Sequence, residues 1–309
     1  MDEFSIQGMR VAVLMGGPGS EREVSLRSGA AVCGALEEAG ARVSPLDVQD
    51  GNFELPAGTE LAFNVIHGTF GEDGVLQEIL DARGVPYTGE GAEGSRTAFD
   101  KILSKRAFDA AGVPTAKWIC MGAGSLPSWE PPYVIKSPCQ GSSVGVHIIR
   151  SESDVEAALA DCYHFGSEVL VEEFVSGREL TVGILGGEAL PIVEIVPREG
   201  FYDYKNKYTK GASDYHVPAS LPESVTLAVQ DVALAAHRAL GLRVYSRVDV
   251  LLAADGHMAV LEANTIPGMT ETSLLPKAAA AAGISFPELC TRIAELSMAR
   301  FPTRRPHGT

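Results

Sequence analysis

The chain carries little positive charge for its size: 25 Lys and Arg stand against 40 Asp and Glu in 309 residues, a formal net charge of −15. A nucleic-acid partner needs a basic face that displaces counterions, so no nucleic acid is expected here. Cysteine is sparse too. Its five residues (33, 120, 139, 162, 290) are odd in number and never spaced as CxxC. That argues against a disulfide framework or a structural zinc and fits a reducing compartment. No apolar run reaches the roughly 20 residues of a membrane span. The opening MDEFSIQGMR lacks a basic segment leading into an apolar one. No membrane partner is expected, and the expected setting is cytoplasmic.

What the chain does have is glycine, 33 residues, and alternating strand and helix patterns. MRVAVLMGG (9–17) reads as a short buried strand, and helical apolar spacing (Leu26, Ala30, Cys33, Leu36) continues to about residue 38. Ser20 with Glu23 matches a capping box, with Ser25 as an alternative start. LAFNVI (61–66) reads as a second strand, HGTFGEDG (67–74) as a Gly-rich turn, and VLQEILDAR (75–83) as a helix ended by Gly84. Residues 1–90 therefore predict an α/β unit with an open parallel sheet. Residues 91–176 read as a small α+β unit. It has a helix around Asp100–Ala111, strands near Lys117–Met121, Tyr133–Lys136 and Val144–Arg150, and a helix capped by Ser153 and Glu156. The strand EVLVEEFV (168–175) leads to a boundary at Ser176-Gly177. Residues 177–309 hold further strands, a helix at 223–240 and a last helix from Pro287, with Ser285 and Glu288 as its capping box. One stretch, GFYDYKNKYTKGASDYHVP (200–218), has no periodicity yet holds four of the eight tyrosines. It is too long for an idle connection and too aromatic for disorder, so it reads as a lid.

Chemistry first becomes countable at SRVDVLLAADGHMAVLEAN (246–264). Two apolar strands flank Asp255-Gly256, a favoured pair for a two-residue hairpin turn. With that turn Asp249 faces Glu262 and Arg247 faces Asn264, all four on one face of the sheet. Opposed carboxylates repel, and a sheet does not keep them for stability alone. Asp, Glu and Asn oxygens suit Mg²⁺ when phosphates complete its octahedron. The alternatives are a solvent-facing pair, neutralisation by Arg247, or a slipped register.

Other candidates are weaker singly. Lys136 ends a strand and precedes SPCQGSSVG (137–145), a donor-rich glycine loop suited to phosphate but not a Walker A sequence. Glu172 and Glu179 flank a possible nucleotide hinge; alone they read as solvated strand-edge charges. His67 sits where a helix N-terminus favours a carboxylate, although a capping or packing role is the plainer reading. Lys101 reads as a helix surface charge, and Lys207 and Tyr208 as mobile side chains of the lid.

Taken in order, GGPGSEREVS (16–25), HGTFGEDG (67–74), FDK (99–101), IKSPCQGSSVG (135–145), VEEFVSGRE (171–179), FYDYKNKY (201–208), RVDV (247–250) and EANTIPGMTETSL (262–274) resemble the D-alanine–D-alanine ligase family of ATP-grasp enzymes. The resemblance implies a three-domain ATP-grasp fold, divided here as 1–90, 91–176 and 177–309. It also implies an ATP-dependent ligation of two D-alanines through an acyl phosphate, for peptidoglycan synthesis. It places Lys101 and Lys136 on the α- and β-phosphates, Lys207 on the γ-phosphate, and Ser143 in the phosphate loop. Glu172, Phe174 and Val175 fall at adenine and Glu179 at ribose. Asp249, Glu262 and Asn264 would bind two Mg²⁺, Mn²⁺ being an alternative ion. Glu21 and His67, with Glu72 supporting His67, would place the first D-alanine. Ser142, Tyr208 and Glu21 would form a triad closing the lid. Arg247 and the Gly268 N–H would hold the oxyanion, and Ser273 with the Leu274 N–H the second carboxylate. A homodimer is the family's usual state. D-lactate or D-serine as second substrate is the near alternative, and a non-catalytic nucleotide-binding protein the remote one. Ser137-Pro138-Cys139-Gln140 and Thr69-Phe70 depart from the family pattern, which puts the phosphate loop and the first-substrate site in question.

Overall fold

The computed structural model describes residues 4–142, 144–198 and 213–301. Strand β1 (Arg10–Gly16) is buried along all but its first residue, as a strand covered on both faces should be. It pairs in parallel with β2 (Arg42–Val48) and β3 (Leu61–Asn64), in the order β2-β1-β3. This is the open parallel sheet expected for the start of the chain. Strand β2 was not legible in the sequence, because RVSPLDV mixes Pro45 with charges. It survives as an edge strand, where a missing N–H is tolerated.

Helix α1 (Arg22–Glu38) follows Glu21 with no side-chain cap, so the expected Ser20–Glu23 box does not form. Ser25 lies buried in the first turn instead. Its hydroxyl accepts the Gly16 N–H at 2.9 Å and donates to the Val65 carbonyl at 2.7 Å. Helix α2 (Val75–Arg83) ends as expected at Gly84, at φ 62°.

A second, antiparallel sheet takes the order β4-β7-β5-β6, from β4 (Trp118–Gly122), β5 (Tyr133–Lys136), β6 (Val146–Ile149) and β7 (Glu168–Glu173). Helices α3 (Ala92–Phe99) and α4 (Lys101–Ala111) precede it, and α5 (Val155–Tyr163) packs on it over Ile135, Ile149 and Val171. The cap expected at Ser153 and Glu156 is built two residues earlier. Ser151 accepts the Ser153 N–H, and Asp154 returns to the Ser151 N–H, because a 3₁₀ turn over Glu152–Asp154 leads into α5.

The third sheet runs β11-β10-β8-β12-β13, with β9 beside β8. Its strands are β8 (Arg178–Leu185), β9 (Glu188–Ala189), β10 (Val193–Pro197), β11 (Ser213–His216), β12 (Tyr245–Leu252) and β13 (Met258–Asn264). Residues 213–216 of the expected lid are thus an ordered edge strand on β10, and 199–212 lie outside the described residues. Helix α6 (Glu223–Ala239) covers this sheet with Val229 and Ala233 against Val248 and Val260. The chain ends with α7 (Leu274–Ala281) and α8 (Phe286–Met298). Ser285 accepts the Glu288 N–H at 3.3 Å, but Glu288 turns to Arg292 at 2.6 Å, so only half of the expected box forms.

One apolar cluster joins Val13, Leu36 and Phe63 to Leu185, Leu275 and Ile293. The last helices therefore pack back against the first sheet. Among the described residues no helix is long and apolar enough to cross a membrane.

Candidate active site

On the third sheet Arg247 lies opposite Asn264, and Asp249 opposite Glu262, as counted. The turn is not the one assumed. Gly256 N–H bonds the Ala253 carbonyl at 3.0 Å and Ala253 N–H the His257 carbonyl at 2.8 Å. The loop therefore has three residues, with Gly256 at φ 88°, as in a type I turn closed by a left-handed glycine. Near the turn the pairs are Leu252↔Met258, Leu251↔Ala259 and Val250↔Val260. A bulge at Leu261, between those pairs and Asp249↔Glu262, then restores the counted register. Two one-residue departures cancel, and the acids still face each other.

Both carboxylates are held by cations. Asp249, 6% exposed, receives a fork from Arg247 at 3.0 and 2.9 Å, the Thr181 hydroxyl at 2.5 Å and the Asn264 amide at 3.4 Å. Glu262 pairs with Lys101 at 3.3 Å. Neutralisation by Arg247, an alternative left open by the sequence, is thus present alongside the apposition. Among the described residues no group of three His, Cys, Asp or Glu gathers anywhere. Two carboxylates and an amide are an incomplete shell, the kind Mg²⁺ accepts when phosphate oxygens and water complete it.

The acids open into a cleft of about 420 Å³ between the second and third sheets. Lys101, Lys136, Glu172, Phe174, Val175 and Glu179 line it, with Val134, Ile148 and Leu251 as apolar wall. A hollow of about 520 Å³ beside β6 and α5 has none of these groups. Lys101 is not the surface charge its helix suggested. Asp100 caps α4, accepting the Ile102 and Leu103 N–H groups at 2.8 and 3.2 Å, which aims Lys101 inward to the Gln140 carbonyl at 2.7 Å. Pro138 also accepts the Lys101 N–H, at 3.0 Å, through its carbonyl. Both contacts of the unusual 137–140 loop to Lys101 are main-chain, so its altered side chains leave them intact.

Glu172 is not a solvated edge charge either. Strand β7 is an inner strand, and Glu172, 1% exposed, is ion-paired on one oxygen with Lys136 and on the other with Lys105. Burial opposes its charge, but the two lysines prevail and hold its carboxyl below the usual range. Lys105 was not singled out from the sequence. The only signal was its i, i+4 spacing from Lys101.

Glu21, just before α1, accepts the Ser142 hydroxyl. Ser142 adopts φ 53°. Glycines flank the carboxylate: a Cβ at Gly68 or Gly141 would lie 2.5 or 2.8 Å from Glu21 Oε2. His67 is buried, with Nδ1 at 2.8 Å from the Ile266 carbonyl and Nε2 at 2.9 Å from Ser28 Oγ. Nδ1 must carry the proton, so Ser28 donates to Nε2 while accepting the Met269 N–H at 3.2 Å. Burial lowers the His67 pKa and keeps the ring neutral. Ser28 is a second residue that sequence reasoning missed, hidden in a helical pattern.

Glu72 does not bond the His67 side chain. It accepts the Gly68 and Ile266 N–H groups, each at 3.0 Å, so His67 and Glu72 grip Ile266 by its carbonyl and its N–H respectively. The Phe70 departure is absorbed by the core. At φ 79° its side chain packs with Leu14, Ile66 and Leu76. Across the site, Leu274 opens α7, whose first N–H groups suit a carboxylate. The Ser273 hydroxyl lies 2.8 Å from Thr270 Oγ1, and a Cβ at Gly268 would sit 2.8 Å from it. Ser143, Lys207 and Tyr208 lie outside the described residues.

The family model described as "D-ala D-ala ligase C-terminus" matches residues 124–295. The D-alanine–D-alanine ligase of Methylacidiphilum infernorum (isolate V4) is 49% identical over 298 residues, covering 96% of this chain and 97% of that protein. That of Desulforudis audaxviator (strain MP104C) is 45% identical, covering 94% and 99%. The crystal structure of D-alanine–D-alanine ligase from Bacillus anthracis complexed with ATP aligns with a TM-score of 0.84 at 33% identity, covering 95% and 98%.

Proposed function

The chain belongs to the D-alanine–D-alanine ligase family, and from that membership we propose that it joins two D-alanines at the expense of ATP, for peptidoglycan synthesis. The observation that carries the reading is the meeting of Asp249 and Glu262 with Lys101 and Lys136 in one cleft. In this reading the carboxylate of the first D-alanine attacks the γ-phosphorus, ADP leaves, and an acyl phosphate forms. The second amine then attacks the carbonyl and phosphate leaves. Glu21 binds the first ammonium, and neutral His67 orients that substrate. Arg247 and the Gly268 N–H face the oxyanion, and Ser273 with the Leu274 N–H takes the second carboxylate. Lys101 and Lys136 meet the α- and β-phosphates, the adenine lies against Glu172, Phe174 and Val175, and Glu179 takes the ribose. Asp249, Glu262 and Asn264 would hold Mg²⁺, which when bound spreads the phosphate charge. Ser143, Lys207 and Tyr208 keep their proposed places at the phosphates and in the lid triad.

The division into 1–90, 91–176 and 177–309 is likewise proposed, supported by the absence of any described β-ladder across either boundary. A homodimer and a cytoplasmic setting complete the proposal; sedimentation tests the former. An ADP-release assay across D-amino acids tests the activity. Release dependent on D-alanine is expected, with D-alanyl-D-alanine dominant when D-serine and D-lactate compete. Dominant depsipeptide would reassign the second substrate.

Gly141→Ala presses a methyl on the Glu21 carboxylate while meeting no rigid backbone. We expect kcat/KM for the first D-alanine to fall about 10- to 100-fold, with Tm nearly unchanged. Steady-state kinetics beside a melting curve checks this.

Glu72 sets a pH dependence. Burial, and after it the nearby Glu21, push its carboxyl up to about 8. The folded state therefore binds a proton that the unfolded state has released, and stability falls as pH rises from the ordinary Glu value through about 8. Glu72→Gln cannot ionise, so its Tm should gain on wild type between pH 6 and pH 9. A constant Tm difference across that range would contradict the assignment.

A further inference from the structure

The buried Lys105–Glu172–Lys136 cluster holds one charge more than an ion pair needs. Lys136 lines the nucleotide cleft, whereas Lys105 sits behind Glu172 with its side chain only 1% exposed. One turn earlier on the same face of α4, Lys101 reaches into the cleft. Helix α4 thus supplies one cation to the cleft and one to the carboxylate behind it. The Lys105 ammonium also meets the Thr115 hydroxyl, which donates to the Val260 carbonyl at 2.7 Å. Val260 N–H in turn bonds the Pro114 carbonyl at 2.9 Å. The lysine is therefore pinned to both sheets that form the cleft. Among the described residues Lys105 does not line the cleft, and a buried lysine is costly unless its charge is used.

We propose that Lys105 is a positioning residue for nucleotide binding: it satisfies Glu172, so that Lys136 can offer its charge to the polyphosphate. Without Lys105, the Glu172 carboxylate would bear on Lys136 alone, cancel its charge and leave the cleft wall without a net cation for the incoming phosphates. With it, the cluster keeps a net positive charge at the cleft wall. The two lysines also repel each other, which weakens the hold of Glu172 on Lys136. This deepens the reading of the cleft as the ATP site and rests on it.

The test is calorimetric titration of Mg-ADP into four proteins: wild type, Lys105→Met, Glu172→Gln and the double variant. Lys105→Met should weaken binding about tenfold or more, the scale of a lost bond to a charged group. In the Glu172→Gln background, where no anion needs satisfying, the same change should cost about twofold or less. Equal losses in both backgrounds would mean that Lys105 acts through packing, and binding within about twofold of wild type in Lys105→Met would also overturn the proposal. Should Lys105→Met fail to fold alone, Glu172→Gln against the double variant carries the test, a tenfold loss there being the adverse result. Absence of Mg-ADP binding by wild type would instead bring down the cleft assignment itself, and this inference with it.

Discussion

Glu262→Gln is expected to abolish most of the turnover, lowering kcat about 10²- to 10³-fold, while the protein stays folded. The scale is that of removing one preorganised electrostatic group from a transition state, roughly 2.7–4 kcal/mol. Glu262 stands opposite Asp249 and within 3.3 Å of the Lys101 ammonium. Glutamine keeps the shape but removes the charge that answers both a metal and Lys101. Relief of the apposed acids is offset by the loss of the anion paired with Lys101, so stability should change little. Rapid-quench measurement of ADP formation, with a melting curve beside it, separates these effects. Near wild-type turnover would remove Glu262 from the metal set. Titrating Mg²⁺ and Mn²⁺ should also show a higher metal requirement in the variant, because half of the carboxylate pair is gone.

Gly71→Ala is expected to be the most damaging glycine-to-alanine change among the described residues. A Cβ there would lie 1.9 Å from the Ile66 carbonyl oxygen and 2.6 Å from the Ile66 carbonyl carbon. Both are main-chain atoms that cannot rotate away. The Gly71 carbonyl is moreover fixed by the Asn64 amide at 3.0 Å and the Gln77 amide at 2.7 Å, both buried. Relief requires the segment that carries His67 and Glu72 to move. Loss should reach the large end of single substitutions, more than about 3 kcal/mol, which for a chain of this length is a Tm drop on the order of 5 °C. D-alanine-dependent activity should vanish with it. Gly34→Ala is the control. Apart from its chain neighbours and the backbone of α1 itself, no described atom lies within 4 Å of its Cβ position, and helix propensity should there gain up to about 1 kcal/mol. A Gly71→Ala protein melting within about 1 °C of wild type, less than about 1 kcal/mol for a chain of this length, would refute the close-approach argument.

Local pattern carried much of the architecture. The buried run at 10–16, the glycine stop at Gly84 and the alternation around Asp249 are written in neighbouring residues, so period and turn chemistry were enough. Caps were read less well. Ser20 and Ser153 have the right neighbours for a box, but a capping hydroxyl competes with other partners that depend on where the chain goes next. The hairpin shows the same limit from the other side: its register at the acids was countable, whereas its turn and compensating bulge were not.

The chain's own letters determined which chemistry was available: paired acids at countable positions, lysines at strand and helix ends, and glycines where loops approach. Tertiary structure alone decided which charges are buried together. Glu172 looks like a surface acid until β7 is placed between β4 and β5, and Lys105 gives no sign of its role until Glu172 and Thr115 are brought against it. Ser28 acquires its role only when Met269 and His67 arrive from distant segments. Periodicity reports a residue's face on its own element, but desolvation depends on what covers that face, and here the covering atoms come from segments far away in the sequence.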